Sequence, residues 1–268
     1  MENFRKMIIF SNWKIYMRSR EEVMNYVKVL KTELKTYNTE LLDVYIMPDF
    51  MSFEVVNNYL KDIPVYAGLQ DTFWEDYGSY AGEVAPVMLK DIGCKCVYMG
   101  HSERRIYFGE TDGNINKKVL ACYRNGIIPF LFVGETKEEL EKGITYEVLE
   151  EQLGIGLTGI PAEFMRKMVI MYEPRWAIGQ EKSASPEVIK KCHEQVRELI
   201  AKMYGIEIAK LTRILYGGSV NLENIAEIIR IPEVDGVGSS RASLNPEDYV
   251  KMIRIVEEES GKRRNKIN

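Results

Sequence analysis

The chain is a succession of short apolar runs separated by longer stretches in which apolar residues return every three or four positions. Eight runs stand out: Met7–Trp13, Asp43–Met47, Val65–Leu69, Cys96–Met99, Ile127–Val133, Met168–Tyr172, Arg213–Tyr216 and Gly236–Gly238. Each is brief and nearly free of internal charge, the pattern of a strand covered on both faces. Between the first two runs, Glu21–Leu34 places Val23, Tyr26, Val27, Leu30 and Leu34 on one helical face. Ser185 stands where an N-cap belongs, ahead of Pro186 and a helical stretch over Glu187–Tyr204. Asn221-Leu-Glu-Asn predicts the start of another helix, and Asn245-Pro246-Glu247 the start of the last. Strict alternation of strand and helix predicts a parallel sheet with crossover helices, and eight strands is the number that closes a barrel. The expectation is an α/β fold, a single (β/α)8-barrel domain over residues 1–268. Its charged end, Glu257–Asn268, reads as a solvated, fraying tail.

Composition narrows the function. Hydrophobic residues make up 46% of the 268 and charged residues 28%, ordinary for a globular protein. The net charge of −4 gives no general attraction to nucleic acid or to an anionic membrane, so neither is expected as a partner. No run approaches the ~18 apolar residues of a membrane span. The polar start, Met1–Lys6, lacks the apolar core of a signal peptide. The cytoplasm is the expected location. Cys94 and Cys96 stand one residue too close for a CxxC pair. With Cys122 and Cys192 they read as reduced thiols rather than a metal site. No cofactor or metal is expected.

In such a barrel, chemistry gathers where the strands end at their carboxyl side. The first run ends in Asn12-Trp13-Lys14, the fourth is followed by Gly100-His101-Ser102-Glu103-Arg104-Arg105, and the sixth by Glu173-Pro174. The seventh run leads into Gly217-Gly218-Ser219, two glycines ahead of a helix start, a setting that suits an anion. A base, an imidazole, a cation and a phosphate cradle thus fall on one face. Removing a proton beside a carbonyl needs a held carboxylate and a stabilised oxyanion, and these residues supply both without a metal. The sixth run is followed by a loop containing Pro and Gly, Pro174–Gly179, which continues through Gln180–Ala184.

These motifs resemble the triosephosphate isomerase family. The matching segments are Asn12–Lys14, Gly100–Arg105, Phe108–Thr111, Val133–Thr136, Tyr172–Pro174 with Trp176–Gly179, Tyr216–Val220 and Ala242–Leu244, in the family's order from about residue 7 to about residue 256. The resemblance implies a ketose–aldose isomerase acting on a small phosphorylated sugar, dihydroxyacetone phosphate and D-glyceraldehyde 3-phosphate. It implies Glu173 as the proton-shuttling base, His101 as the electrophile, Lys14 as the cation beside the enediolate, Asn12 as a further donor and Glu103 as the residue that orients Lys14. It implies Gly179, Gly217, Gly218, Ser219, Ser240 and Arg241 around the phosphate, and a lid at Pro174–Gly179, continuing through Gln180–Ala184, because the enediolate phosphate eliminates phosphate readily in water. It also implies a homodimer, with loop 70–83 carrying Phe73, Trp74 and Tyr80 into the partner.

Several positions depart from the family pattern. Tyr16 and Met17 replace an asparagine and a glycine, Arg175 replaces a small apolar residue, and the lid ends in Gly179-Gln180-Glu181-Lys182. In the third loop Asp71 and Ala81 replace asparagine and threonine, and Phe132 stands where a cysteine is usual. After the eighth run the family's two phosphate-holding glycines become Ser240-Arg241. With Trp74-Glu75-Asp76, that change is similar to a branch that isomerises four-carbon erythrulose phosphates, the alternative reading. A non-catalytic sugar-phosphate-binding barrel is the remote third, disfavoured by the presence of Glu173, His101 and Lys14.

Overall fold

In the computed structural model, residues 4–267 are described. Met1–Asn3 of the polar start and Asn268 of the tail lie outside them. Eight parallel strands form one sheet: β1 (Met7–Asn12), β2 (Leu42–Met47), β3 (Val65–Ala67), β4 (Cys96–Met99), β5 (Ile128–Val133), β6 (Val169–Tyr172), β7 (Arg213–Gly217) and β8 (Gly236–Ser239). Their order is β3-β2-β1-β8-β7-β6-β5-β4. The ring closes between β3 and β4 through Leu69, whose N–H donates to the Cys96 carbonyl at 2.9 Å and whose carbonyl accepts from the Tyr98 N–H at 3.1 Å. The architecture is a single (β/α)8 barrel, as the alternation predicts, and each strand begins and ends within about two residues of its apolar run.

The alternation of side chains along each strand divides the core in two. Ile8, Phe10, Tyr45, Met47, Cys96, Tyr98, Phe130, Phe132, Val169, Met171 and Leu215 fill the barrel interior. Met7, Ile9, Val44, Ile46, Val97, Leu131, Ile170 and Ile214 face the helices. β8 carries glycines because the interior has no room there. A Cβ on Gly238 would stand 2.3 Å from the Phe10 ring, and one on Gly236 would stand 2.0 Å from the Ile8 carbonyl oxygen.

The helices start where side chains cap them. Ser19 accepts from the Glu22 N–H ahead of Arg20–Glu33, and Ser185 accepts from the Val188 N–H ahead of Pro186–Tyr204. Two expectations need correction. The Asn221 segment is a turn, not a helix start: its Oδ1 accepts from the N–H groups of Glu223 and Asn224, and the helix runs Ile225–Arg230. The charged tail does not fray through the described residues. It continues the helix Pro246–Ile267, with Ser260 buried and donating to the Leu41 carbonyl. Arg263 donates to main-chain carbonyls of Ile231 and Val234 at 2.8 Å each, and Glu259 grips Arg230 with both oxygens. Among the described residues no helix is long and apolar enough to cross a membrane. The four cysteines are buried and unbridged.

Candidate functional site

The inward column of side chains does not stop where the strands stop. Two residues beyond Phe10 comes Asn12, two beyond Met171 comes Glu173, and two beyond Leu215 comes Gly217. Strand parity alone therefore aims these positions into the mouth of the barrel. There a cavity of about 510 Å³ is floored by Phe10, Phe132 and Met171. It is lined by every residue singled out from the sequence: Asn12, Lys14, His101, Glu103, Glu173, Gly179, Gly217, Gly218, Ser219, Ser240 and Arg241.

Glu173 is buried, and its two oxygens are held differently. Oε2 accepts from the Ser102 main-chain N–H at 2.9 Å, and Oε1 lies 3.2 Å from His101 Nε2. The main chain of Glu173 passes close against Gly134. A Cβ there would stand 2.1 Å from the Glu173 carbonyl oxygen. His101 is the N-cap of the helix Ser102–Tyr107, and its Nδ1 accepts the Glu103 N–H at 3.2 Å. An accepting Nδ1 leaves Nε2 as the donor nitrogen, and Nε2 faces Glu173.

Lys14 sits at φ 47°, a left-handed backbone that costs energy in a non-glycine residue. Three contacts hold it there: its N–H donates to Asn12 Oδ1 at 3.0 Å, its carbonyl accepts from Gln70 Nε2 at 2.9 Å, and its ammonium pairs with Glu103 at 2.5 Å. Tyr98 also donates to Asn12 Oδ1, at 3.3 Å, which fixes the asparagine amide. Burial raises the Tyr98 phenol well above its usual range, so it stays a donor. The other left-handed non-glycine residue among the described residues is Ser219, at φ 50°, which lines the same cavity.

The segment after Glu173 folds over the mouth and is fastened at both ends. Trp176 Nε1 donates to Glu135 Oε1 at 2.7 Å, and Tyr172 donates to the same fully buried carboxylate. At the far end the Ala184 N–H donates to the Tyr216 hydroxyl at 3.0 Å. Ser219 Oγ stands 2.7 Å from the Gln180 carbonyl and 3.0 Å from that of Ala177. Arg175, the unusual residue of the first turn, donates through Nε to the Gly134 carbonyl at 3.1 Å. Burial, then the nearby Arg105, lowers its guanidinium from its ordinary value.

A buried ion cluster ties the root of loop 70–83 to the His101 helix. Asp71 meets Lys118 at 2.6 Å and Arg104 at 2.7 Å, and Glu110 meets Arg104, Lys118 and the Gly100 N–H. The added charge of Asp71 is thus matched within the fold. Burial raises its carboxyl pKa, against the pull of the two cations.

A family profile described as triosephosphate isomerase matches residues 7–256. Relatives carry the same description. The protein of Dictyoglomus turgidum is 42% identical over 250 residues, covering 93% of this chain and 99% of its own. That of Carboxydothermus hydrogenoformans is 43% identical over 250 residues, covering 93% and 98%. That of Moorella thermoacetica is 42% identical over 249 residues, with the same coverage. The chain belongs to the triosephosphate isomerase family. That family is one of aldose–ketose isomerases, and the carboxylate of Glu173, the imidazole of His101 and the ammonium of Lys14 line one cavity here.

Sequence reasoning missed three contributors. Glu135 stood in a matching segment without a role, yet it holds the lid through Trp176. The Ser102 N–H holds the base, and Tyr98 sets Asn12. A carboxylate directly following a buried strand was a signal for the first; a main-chain donor such as Ser102 leaves none.

Proposed function

We propose that the protein interconverts dihydroxyacetone phosphate and D-glyceraldehyde 3-phosphate in the cytoplasm through an enediolate. Glu173 takes the proton from one carbon and returns it to the neighbouring one. To do so its carboxylate leaves the Ser102 N–H and turns to the substrate. The Nε2–H of His101 donates to the carbonyl oxygen as charge develops. Lys14, held by Glu103, stabilises the same oxyanion, and Asn12 adds a donor beside it. Gly179, Gly217, Gly218, Ser219, Ser240 and Arg241 surround the phosphate. The lid keeps water from the enediolate phosphate.

The observation that carries this reading is the 3.2 Å approach of Glu173 to His101 in the cavity that Lys14 also lines. The test is turnover of D-glyceraldehyde 3-phosphate in deuterated water, with deuterium appearing on the carbon beside the carbonyl of the product. Absence of triose phosphate turnover overturns the reading. Turnover of D-erythrulose 4-phosphate in its place selects the four-carbon alternative, which Arg241 in the cavity wall favours.

We also propose a homodimer through loop 70–83. Ile15, Met51, Tyr77 and Ile106–Phe108 are exposed large apolar residues in the segments after β1, β2, β3 and β4, strands that neighbour one another around the ring. An exposed apolar flank of this kind supports an interface. Phe73 is buried in its own chain, stacked on Trp74 at 4.1 Å, which leaves Tyr77 and Tyr80 as the tip aromatics for a partner. Sedimentation at a monomer mass at micromolar concentration overturns the dimer.

A further inference from the structure

We infer that Arg241 is a clamp that joins the substrate phosphate to the lid through the Gln180 carbonyl. The inference rests on the sugar-phosphate reading above. Arg241 opens the short turn Arg241–Ser243 that follows β8 and lines the cavity. Its Nη2 donates to the Gln180 carbonyl in the lid at 3.3 Å. Ser219, from the loop after β7, reaches the same carbonyl at 2.7 Å. One peptide of the lid is therefore held between donors from two neighbouring barrel loops, those after β7 and β8.

Charge makes Arg241 the decisive partner of an anion. The charged groups lining the cavity are the cations Lys14 and Arg241 and the carboxylates Glu103, Glu173 and Glu181, which leaves the lining one charge negative. Lys14 is already paired with Glu103. Arg241 has no carboxylate partner among the described residues; its one hydrogen bond is to Gln180. A guanidinium carries five N–H donors in a planar fork, so one can stay on the lid carbonyl while others take two phosphate oxygens. Without it the lining sums to −2 and faces a dianion with no free cation. The family's paired glycines hold phosphate by main-chain N–H groups; here a side chain does so and spans to the lid.

The test uses the intact protein, Arg241→Ala and Arg241→Lys, with inorganic phosphate as the probe. Phosphate affinity is read by competition with substrate or by calorimetry. Lid closure is read by trypsin cleavage after the exposed Lys182. In the parent protein phosphate slows that cleavage. Arg241→Ala is expected to weaken phosphate binding about tenfold or more, as loss of a charge-assisted contact does. It also loses the protection even at saturating phosphate. Arg241→Lys keeps the charge but has no fork, so it regains part of the affinity and little protection. Phosphate binding within twofold of the parent in Arg241→Ala, or equal protection at saturation, overturns the inference. A parent protein that binds phosphate through Arg241 but turns over no triose phosphate overturns the functional reading alone. An active parent whose two variants match it overturns the clamp alone.

Discussion

Oε1 of Glu173 and Nε2 of His101 stand 3.2 Å apart, while the other oxygen of Glu173 is held by the Ser102 N–H. The proposed base and the proposed electrophile thus touch each other directly. This geometry sets a narrow tolerance on the length of the base.

Glu173→Asp withdraws the carboxylate by one methylene, about 1 Å, and a misplacement of that size costs about 100-fold in turnover. The expected result is a fall of that order in kcat with a small change in KM, read in a steady-state assay with D-glyceraldehyde 3-phosphate. Near-parent turnover would remove Glu173 from the role of base.

Trp176→Phe deletes the indole N–H that Glu135 receives at 2.7 Å. Leaving a buried carboxylate one donor short costs about 1–3 kcal/mol. That cost falls on the fastened form of the lid. The expected phenotype is leakage: more inorganic phosphate released per isomerisation than in the parent, measured by parallel phosphate and isomerase assays. An unchanged ratio would show that this bond does not guard the intermediate.

Gly134→Ala places a methyl where the Glu173 carbonyl oxygen lies 2.1 Å from the ideal Cβ position. The lid root has to move, because main chain and not a flexible side chain is in the way. Overpacking of this kind is expected to lower Tm by about 5 °C or more, together with a fall in kcat. Thermal unfolding followed by circular dichroism, with a parallel activity assay, reads both. A variant as stable and active as the parent would mean that the segment relaxes freely.

His193, the second histidine, lies fully buried in the helix Pro186–Tyr204, against Tyr172 and Tyr216. Burial is the first cause of its pKa falling from 6.5 to about 4. Between those values the unfolded chain holds a proton that the folded one does not. Stability therefore declines as pH drops below about 6.5, and the decline levels off below about 4, amounting to roughly 3 kcal/mol at most. His193→Gln retains a donor for the Ile189 carbonyl and should flatten that decline. Urea unfolding across this pH range compares the two slopes, and identical slopes would contradict the assignment.

The strands were legible because a parallel strand covered on both faces has to be an uninterrupted apolar run. The meeting of Glu173, His101 and Lys14 around one cavity was legible because each follows such a run. What escaped was carried by the main chain. Asn221 has cap chemistry, but its Oδ1 serves a turn three residues before the helix begins. The end of the chain reads as solvated because it is rich in Lys and Arg. Yet Arg263 spends its donors on carbonyls of Ile231 and Val234, groups that every residue has and no residue type announces. Phe73 looked like a partner contact because an aromatic residue in a loop has no periodicity to show which side covers it.

The pairing of β1 with β8 has a consequence for how the protein is made. Ile8 lies beside Gly236 in the finished ring, so the first strand waits for its second neighbour until nearly the whole polypeptide has been synthesised. At ordinary rates of translation that interval is roughly 10–45 s. Throughout it the growing sheet carries a bare apolar rim, and a chaperone that shields nascent chains would find its longest engagement there.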